Sequence, residues 1–204
     1  AFIALKGLRP IDVADALEQL EPTLCWRLLE LLPNRAEIFS YFEPEEQVCF
    51  AREFPRASLA ELVSEMPADE RTDLFKRLDP SQRATLLPAL AEEDRADIHK
   101  LSAYVEGTAG ALMTSDYAAL KQDMTVLQAM TYLREEAPDA ETIYQAYVVD
   151  DQKCLLGVVS LRDLIISDLD KSVKDLMTSD VVSASAFDDQ EDIARMMRDY
   201  AFLA

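Results

Sequence analysis

The sequence predicts an α+β protein: an all-α superhelical solenoid over residues 1–106, followed by an α/β module over residues 107–204 whose second repeat is incomplete. Three observations carry this. Prolines punctuate the first half at Pro10, Pro22, Pro33, Pro44, Pro55, Pro67 and Pro80, at intervals of 11 to 13 residues. The pentapeptide Leu112-Met113-Thr114-Ser115-Asp116 recurs unchanged at Leu176–Asp180, an offset of 64 residues. Between the two copies, apolar β-branched runs flank a polar turn, which reads as strand, turn, strand.

In the solenoid, proline suits the first turn of a helix and interrupts one that would otherwise continue. An apolar residue stands one or two places before each proline: Leu8, Leu20, Leu32, Phe42, Phe54, Met66 and Leu78. Between them the apolar spacing is three and four, as in Leu28, Leu29 and Leu32, or Leu59, Leu62 and Met66, which is the helical period. The result is a stack of about eight to ten turns and short helices. Trp26 and the phenylalanines are expected to pack between helices. Gly107 and Gly110 then mark a turn or hinge into the second module. There follow an extended segment, Asp116 to Lys121, a helix from about Thr125 to Glu136, and two strands in the stretch Ala146–Ser160. Next come a helix capped by Ser160, a connector from Ser172 to Met177, and a helix from about Asp189 to Tyr200. That last helix gathers Ile193, Met196, Met197 and Tyr200 on one face. The 64-residue offset also carries Thr125 onto Asp189 and Gln128 onto Asp192, two N-caps with support in the first turn. The first repeat spans about 112–166 and the partial second about 173–204; the second is expected to continue past Ala204, and Ala1 without a Met suggests a fragment.

The chain carries 39 acidic and 20 basic residues, a net charge of −19, and is 50% hydrophobic. A core is available, and the acid is spread through both halves rather than gathered in a tail. Such a chain repels phosphate backbones, which argues against nucleic acid as a partner. It attracts cations, although spread acid also serves solubility alone. Cys25, Cys49 and Cys154 have no C-x-x-C spacing and read as small core residues in a reducing compartment. There is no signal peptide and no apolar run of transmembrane length. Nothing suggests an enzyme: His99 stands alone and reads as a helix-surface residue, and no nucleophile elbow, P-loop or dinucleotide fingerprint is present.

The carboxylates carry the remaining signal. Asp69 and Asp73 lie four apart, on one helical face, where they repel. Asp69 also reads as an N-cap after Pro67, which leaves Asp73 unexplained. Asp188, Asp189, Glu191 and Asp192 crowd one helix start; one or two acids suit the dipole there, and a divalent cation would relieve the excess. Ser160 reads as a cap with Asp163 in its first turn.

Leu112-Met113-Thr114, with Gly157-Val158-Val159-Ser160-Leu161-Arg162-Asp163-Leu164, resembles a CBS module. Glu106–Thr114 and Ala137–Tyr144 narrow the likeness to the cytosolic part of an MgtE-type magnesium transporter, over most of the chain and most specifically from about Glu106. The resemblance implies a CBS domain with its second repeat incomplete, a homodimer through CBS contacts, and a transmembrane domain of the same protein. It also implies a place at the cytoplasmic face of the membrane. It implies Mg²⁺ held by Glu37, Asp69 and Asp73 of the helical domain with backbone at Gly110 and Ala111, and further ligation by Asp189 and Glu191. Ser160 and Asp163 match the positions that CBS modules use for a nucleotide ribose, which makes ATP a candidate ligand. The chain departs from the family at Asp199-Tyr200-Ala201-Phe202, where the pattern often has an acid in place of Ala201. The function implied is magnesium sensing, with Mg²⁺ favouring a closed state that shuts a pore. The alternative is a nucleotide-responsive CBS regulator with a protein-binding solenoid and no metal role.

Overall fold

The computed structural model describes residues 7–135 and 142–202, and the chain divides into two compact units, Ala1–Val105 and Glu106–Ala204. In the first unit, helices α1 (Pro10–Glu18), α2 (Pro22–Leu29), α3 (Arg35–Ser40), α4 (Pro44–Glu53), α5 (Arg56–Ser64), α6 (Ala68–Arg77), α7 (Pro80–Leu86) and α8 (Glu92–Leu101) follow one another, with a 3-10 turn at Leu87–Ala89. Proline opens α1, α2, α4 and α7 and occupies the N-cap of α5 and α6.

Helices of six to ten residues are too short to hold themselves in water. Here each packs on the next but one: α1 on α3, α2 on α4, α3 on α5, α4 on α6, α5 on α7 and α6 on α8. That is a solenoid of two-helix repeats. Of the apolar residues just before the prolines, Leu32, Phe42, Phe54, Met66 and Leu78 are buried, Leu20 is half-buried and Leu8 is exposed. Trp26 lies 4.7 Å from Phe54, and Phe39 lies 5.9 Å from the same ring, centroid to centroid. The aromatics therefore pack between α2, α3 and the end of α4.

A feature not foreseen concerns the helix ends. The last carbonyls of a helix have no partner within it. In four helices the fourth residue after the N-cap is a long donor that reaches back to the end of the preceding helix. Gln47 donates to the carbonyls of Phe39 (3.0 Å) and Ser40 (3.3 Å). Arg71 donates to those of Val63 (3.1 Å), Ser64 (3.4 Å) and Met66 (2.9 Å). Arg83 reaches Leu78 O (2.7 Å) and Lys76 O, and Arg95 reaches Leu90 O (2.9 Å). In the other four helices that position holds Val13, Cys25, Ile38 or Leu59, all buried. Arg71 is itself buried, and its guanidinium also meets the Asp94 carboxylate at 2.7 Å.

In the second unit, β1 (Tyr117–Leu120), β2 (Thr142–Val149) and β3 (Leu155–Ser160) form one sheet in the order β1-β2-β3. β1 and β2 are parallel, joined across α10 (Val126–Glu135); β2 and β3 are antiparallel. β2 begins four residues before Ala146, the expected start. Glu136 and the Ala137–Glu141 part of the family motif lie outside the described residues. Three further helices are α11 (Leu161–Ile166), α12 (Val173–Leu176) and α13 (Gln190–Tyr200), and a one-turn helix, α9 (Ala109–Leu112), opens the unit. Ala118, Leu120, Val126, Ala129, Val148, Val159, Leu164 and Val173 form the core. α13 adds no buried residue to it: Ile193, Met196 and Met197 are half-buried and Tyr200 is exposed.

The two repeats exchange their entry segments. Thr108 bridges Asp189, and Ser172 bridges Thr125. Residues 108 and 172 are equivalent at the 64-residue offset, as are 125 and 189, so each entry pairs with the other repeat's helix cap. The individual bonds obey the same offset. Gln190 N–H donates to Gly107 O (3.0 Å) as Val126 N–H does to Lys171 O (2.9 Å). Ala109 N–H donates to Asp188 O (2.9 Å) as Val173 N–H does to Met124 O (2.8 Å). Gly110 N–H donates to Ala186 O (2.7 Å) as Lys174 N–H does to Gln122 O (3.0 Å). Of the two readings of Gly107 and Gly110, a turn or a hinge, the turn is present. Gly107 turns the chain with φ +86°, and the segment is hydrogen-bonded into this unit with Gly110 buried. Beyond the second entry, Thr178 and Val158 exchange backbone bonds of 2.8 and 3.0 Å. Gly157 permits that approach, since a Cβ there would lie 2.7 Å from Thr178 O.

Cys25 is buried, and burial pushes its thiol up to about 12, but Cys49 and Cys154 are exposed and are not core residues. Exposed side chains on the polar face of a helix and at a β-turn carry no apolar-pattern signal. His99 is exposed, as expected. Among the described residues no helix is long and apolar enough to cross a membrane.

Replacing Arg71 by alanine would take away the cation paired with Asp94, which would keep the Ser64 hydroxyl (2.6 Å), and one donor from each of three carbonyls, and should lower unfolding free energy in urea by about 3 kcal/mol. Gly157→Ala should destabilise the second unit by about 1–3 kcal/mol, because the conflict is with backbone that must shift. Hydrogen exchange should show it as lost protection at the Val158 and Thr178 amides.

Candidate functional site

The expected metal ligands of the first unit sit on two helices. Glu37 lies in the first turn of α3, exposed, and accepts a hydrogen bond from Asn34 Nδ2 (3.2 Å). Asp69 and Asp73 lie on one face of α6, each partly buried. Asp73 stands 3.8 Å from Lys76 Nζ and 3.7 Å from Arg77, distances of loose ion pairing. Asp69 is not the cap: Pro67 holds that position, and Asp69 Oδ1 is buried with no hydrogen-bond partner. A buried acceptor of this kind costs about 1–3 kcal/mol, whereas its place in the first turn returns about 0.3–1 kcal/mol through the helix dipole. The balance is unfavourable unless a donor or cation arrives.

Glu70, between them, had no role in the sequence reading. It takes a hydrogen bond from Ser40 Oγ, tying α6 to the end of α3. Ser40, Phe42, Gln47, Glu70, Asp73 and Arg77 line a cavity of about 210 Å³. Among the described residues no three His, Cys, Asp or Glu side chains converge into a metal cage. Magnesium is compatible with that, since it retains several waters and often takes only one or two carboxylates.

In the second unit, Gly110 and Ala111 already use their amides, Gly110 to Ala186 O and Ala111 to Thr108 O (3.1 Å). Only a carbonyl oxygen could serve a cation there. The acids near the start of α13 have local duties. Asp188 accepts from Ser185 N–H (2.8 Å), Asp189 caps the helix through Glu191 N–H (2.8 Å), and Asp192 pairs with Arg195. The two N-caps are therefore similar but not identical: Thr125 and Gln128 form a reciprocal box (2.8 and 3.2 Å), while Asp192 turns to an arginine instead. Ala201 ends α13 in the left-handed region, φ 56°.

Ser160 caps α11. Its Oγ accepts from Asp163 N–H (3.0 Å) and donates to Asp163 Oδ2 (2.6 Å). The pair is exposed, and a hydroxyl beside a carboxylate suits the diol of a ribose.

The architecture defines a class: an all-α domain in front of a CBS module, with solvent-facing carboxylates and, among the described residues, no catalytic constellation. The family model described as the MgtE intracellular N domain matches residues 8–107, and the CBS domain model matches residues 109–169 and 173–203. The chain is 38% identical over 203 residues to a magnesium transporter MgtE of Thermus thermophilus, covering 97% of this chain and 45% of that protein. It resembles the crystal structure of the cytosolic domain of the Mg²⁺ channel MgtE in complex with ATP, with a TM-score of 0.90 and 37% identity over 98% of this chain and 83% of that one. The soluble part of a magnesium transporter matches equally, with a TM-score of 0.90 and 36% identity over 99% and 79%. The chain belongs to the MgtE family. It spans less than half the length of the Thermus thermophilus relative.

Asp69→Asn should stabilise the metal-free protein by roughly 1 kcal/mol, since it takes the charge off a partly buried carboxylate whose Oδ1 has no hydrogen-bond partner. Thermal unfolding in EDTA measures this; a lower midpoint would mean that the carboxylate is already satisfied.

Proposed function

We propose that this chain is the magnesium-sensing cytosolic region of a magnesium channel or transporter. It works at the cytoplasmic face of the membrane, paired with a second copy through its CBS domain and joined to a transmembrane domain of the same protein. Mg²⁺ bridges acidic faces of the two units, with Glu37, Asp69 and Asp73 from one and the backbone at Gly110 and Ala111 from the other. Asp189 and Glu191 ligate further ions. The bridged state is closed and holds the pore shut; at low Mg²⁺ the acidic faces repel and the units part. One observation carries this: a buried carboxylate oxygen on Asp69 without a partner, one turn from Asp73, in a chain of net charge −19.

Solution scattering tests it. Millimolar MgCl₂ should shrink the radius of gyration well beyond what NaCl achieves at equal ionic strength, because screening is not bridging. Asp69→Asn with Asp73→Asn should abolish most of that change. Asp189→Asn with Glu191→Gln should alter it less, since Asp189 is occupied as a cap. Equal compaction by NaCl, or loss of the response only in the 189/191 variant, would refute the assignment.

The ATP complex of the relative favours ATP as a further ligand at Ser160 and Asp163. The second CBS match, 173–203, is about half the length of the first, so the half-site from that repeat is incomplete. Calorimetry should show weak ATP binding by this chain; tight binding that survives Asp163→Ala would exclude these residues.

A further inference from the structure

A cavity of about 330 Å³ opens between α4, α5 and α7 of the first unit, away from the carboxylates discussed above. Phe54, Leu59 and Leu86 give it an apolar floor, and all three are buried. Its rim carries Arg52 and Arg56 against one carboxylate, Asp79. Arg56 is steadied by donating to Thr85 O on α7. Arg52 lies 4.0 Å from Asp79 and is largely exposed, too far for a hydrogen bond. Asp79 is committed to its own helix: Oδ1 accepts from Ser81 N–H (2.9 Å), Ser81 Oγ (2.7 Å) and Gln82 N–H (2.9 Å). Two guanidiniums against one engaged carboxylate make this rim locally positive on a chain of net charge −19.

Gln82 supplies the second, independent observation. Its Oε1 accepts from Asp79 N–H (3.0 Å), which fixes the amide's orientation. Its Nε2 is then a buried donor with no partner, on a residue that lines the cavity. A buried donor left unpaired is costly and is ordinarily met by a water or a ligand atom.

We propose that this cavity binds a small organic anion. Its oxyanion head accepts from Arg52, Arg56 and Gln82 Nε2, and its apolar body rests on Phe54, Leu59 and Leu86. The volume lies at the small end of the range for ligand sites. Nitrogen-resolved NMR of the whole chain, in buffer free of divalent cations, tests this with phenyl phosphate as the probe. Amides of residues 79–86 should shift saturably, and phenol or inorganic phosphate alone should bind at least about tenfold more weakly, each lacking half of the recognition. Arg52→Ala with Arg56→Ala should weaken phenyl phosphate by about tenfold or more. Gln82→Glu keeps the acceptor that Asp79 N–H needs and replaces the donor with a negative charge. It should weaken binding similarly while leaving the fold intact, and it decides the matter if the double variant unfolds. No saturable shift, equal binding of inorganic phosphate, or affinity unchanged in the variants would overturn the proposal.

Discussion

The second unit depends on one constraint: the backbone pairing of each repeat's entry segment with the helix cap of the other. Through Gly107, Ala109 and Gly110 the first entry holds the start of α13; through Lys171, Val173 and Lys174 the second holds the start of α10. Backbone donors in such segments must be satisfied somewhere, and here neither repeat can satisfy its own. The exchanging residues, 107–110 and 171–174, lie just ahead of the two copies of the pentapeptide. The capping choices follow from the exchange, because Thr125 and Asp189 must present an extended backbone to the incoming strand before the helix begins.

Much of this was legible in the sequence, and what was not has physical causes. The proline intervals disclosed the solenoid because proline's effect is local and steric, needing no knowledge of neighbours. The caps Thr125, Ser160 and Asp189 were legible for the same reason. The arginines at 71, 83 and 95 were not: on a helix an arginine reads as solvent-facing charge, and only the stacking order reveals that the preceding helix offers carbonyls at that height. The start of β2 was misplaced because the apolar run begins at Ala146, whereas the strand also pairs through the polar residues from Thr142. Of the candidate site, the shared face of Asp69 and Asp73 follows from spacing alone. The orphaned oxygen of Asp69 does not, since burial of a single atom is decided by packing.

The acidic balance takes on a definite form in this arrangement. Of the four acids around the start of α13, Asp188 and Asp189 accept from backbone N–H groups and Asp192 pairs with Arg195, so three already have partners although most of the charge is not neutralised. On α6 the relation is reversed. Asp73 has only loose cationic neighbours and Asp69 presents an oxygen with none. Charge count ranks the two clusters one way and unmet hydrogen-bonding capacity ranks them the other. The second quantity is the better guide to where a cation gains most, because a buried oxygen with no partner carries an unmet desolvation cost that a bound ion relieves.

The two exchanged bridges are nested: Thr125–Ser172 lies inside Thr108–Asp189. Nesting orders assembly like brackets in an equation. The inner bridge closes a chain loop that includes β2, β3 and α11, and can form from the first repeat and the second entry alone. Once it has formed, the outer bridge no longer spans its whole intervening sequence but only the short arms on either side, so its entropic cost of closure falls. With the inner bridge in place, registering α13 and fastening the segment that leads into this unit cost less chain entropy than either would alone.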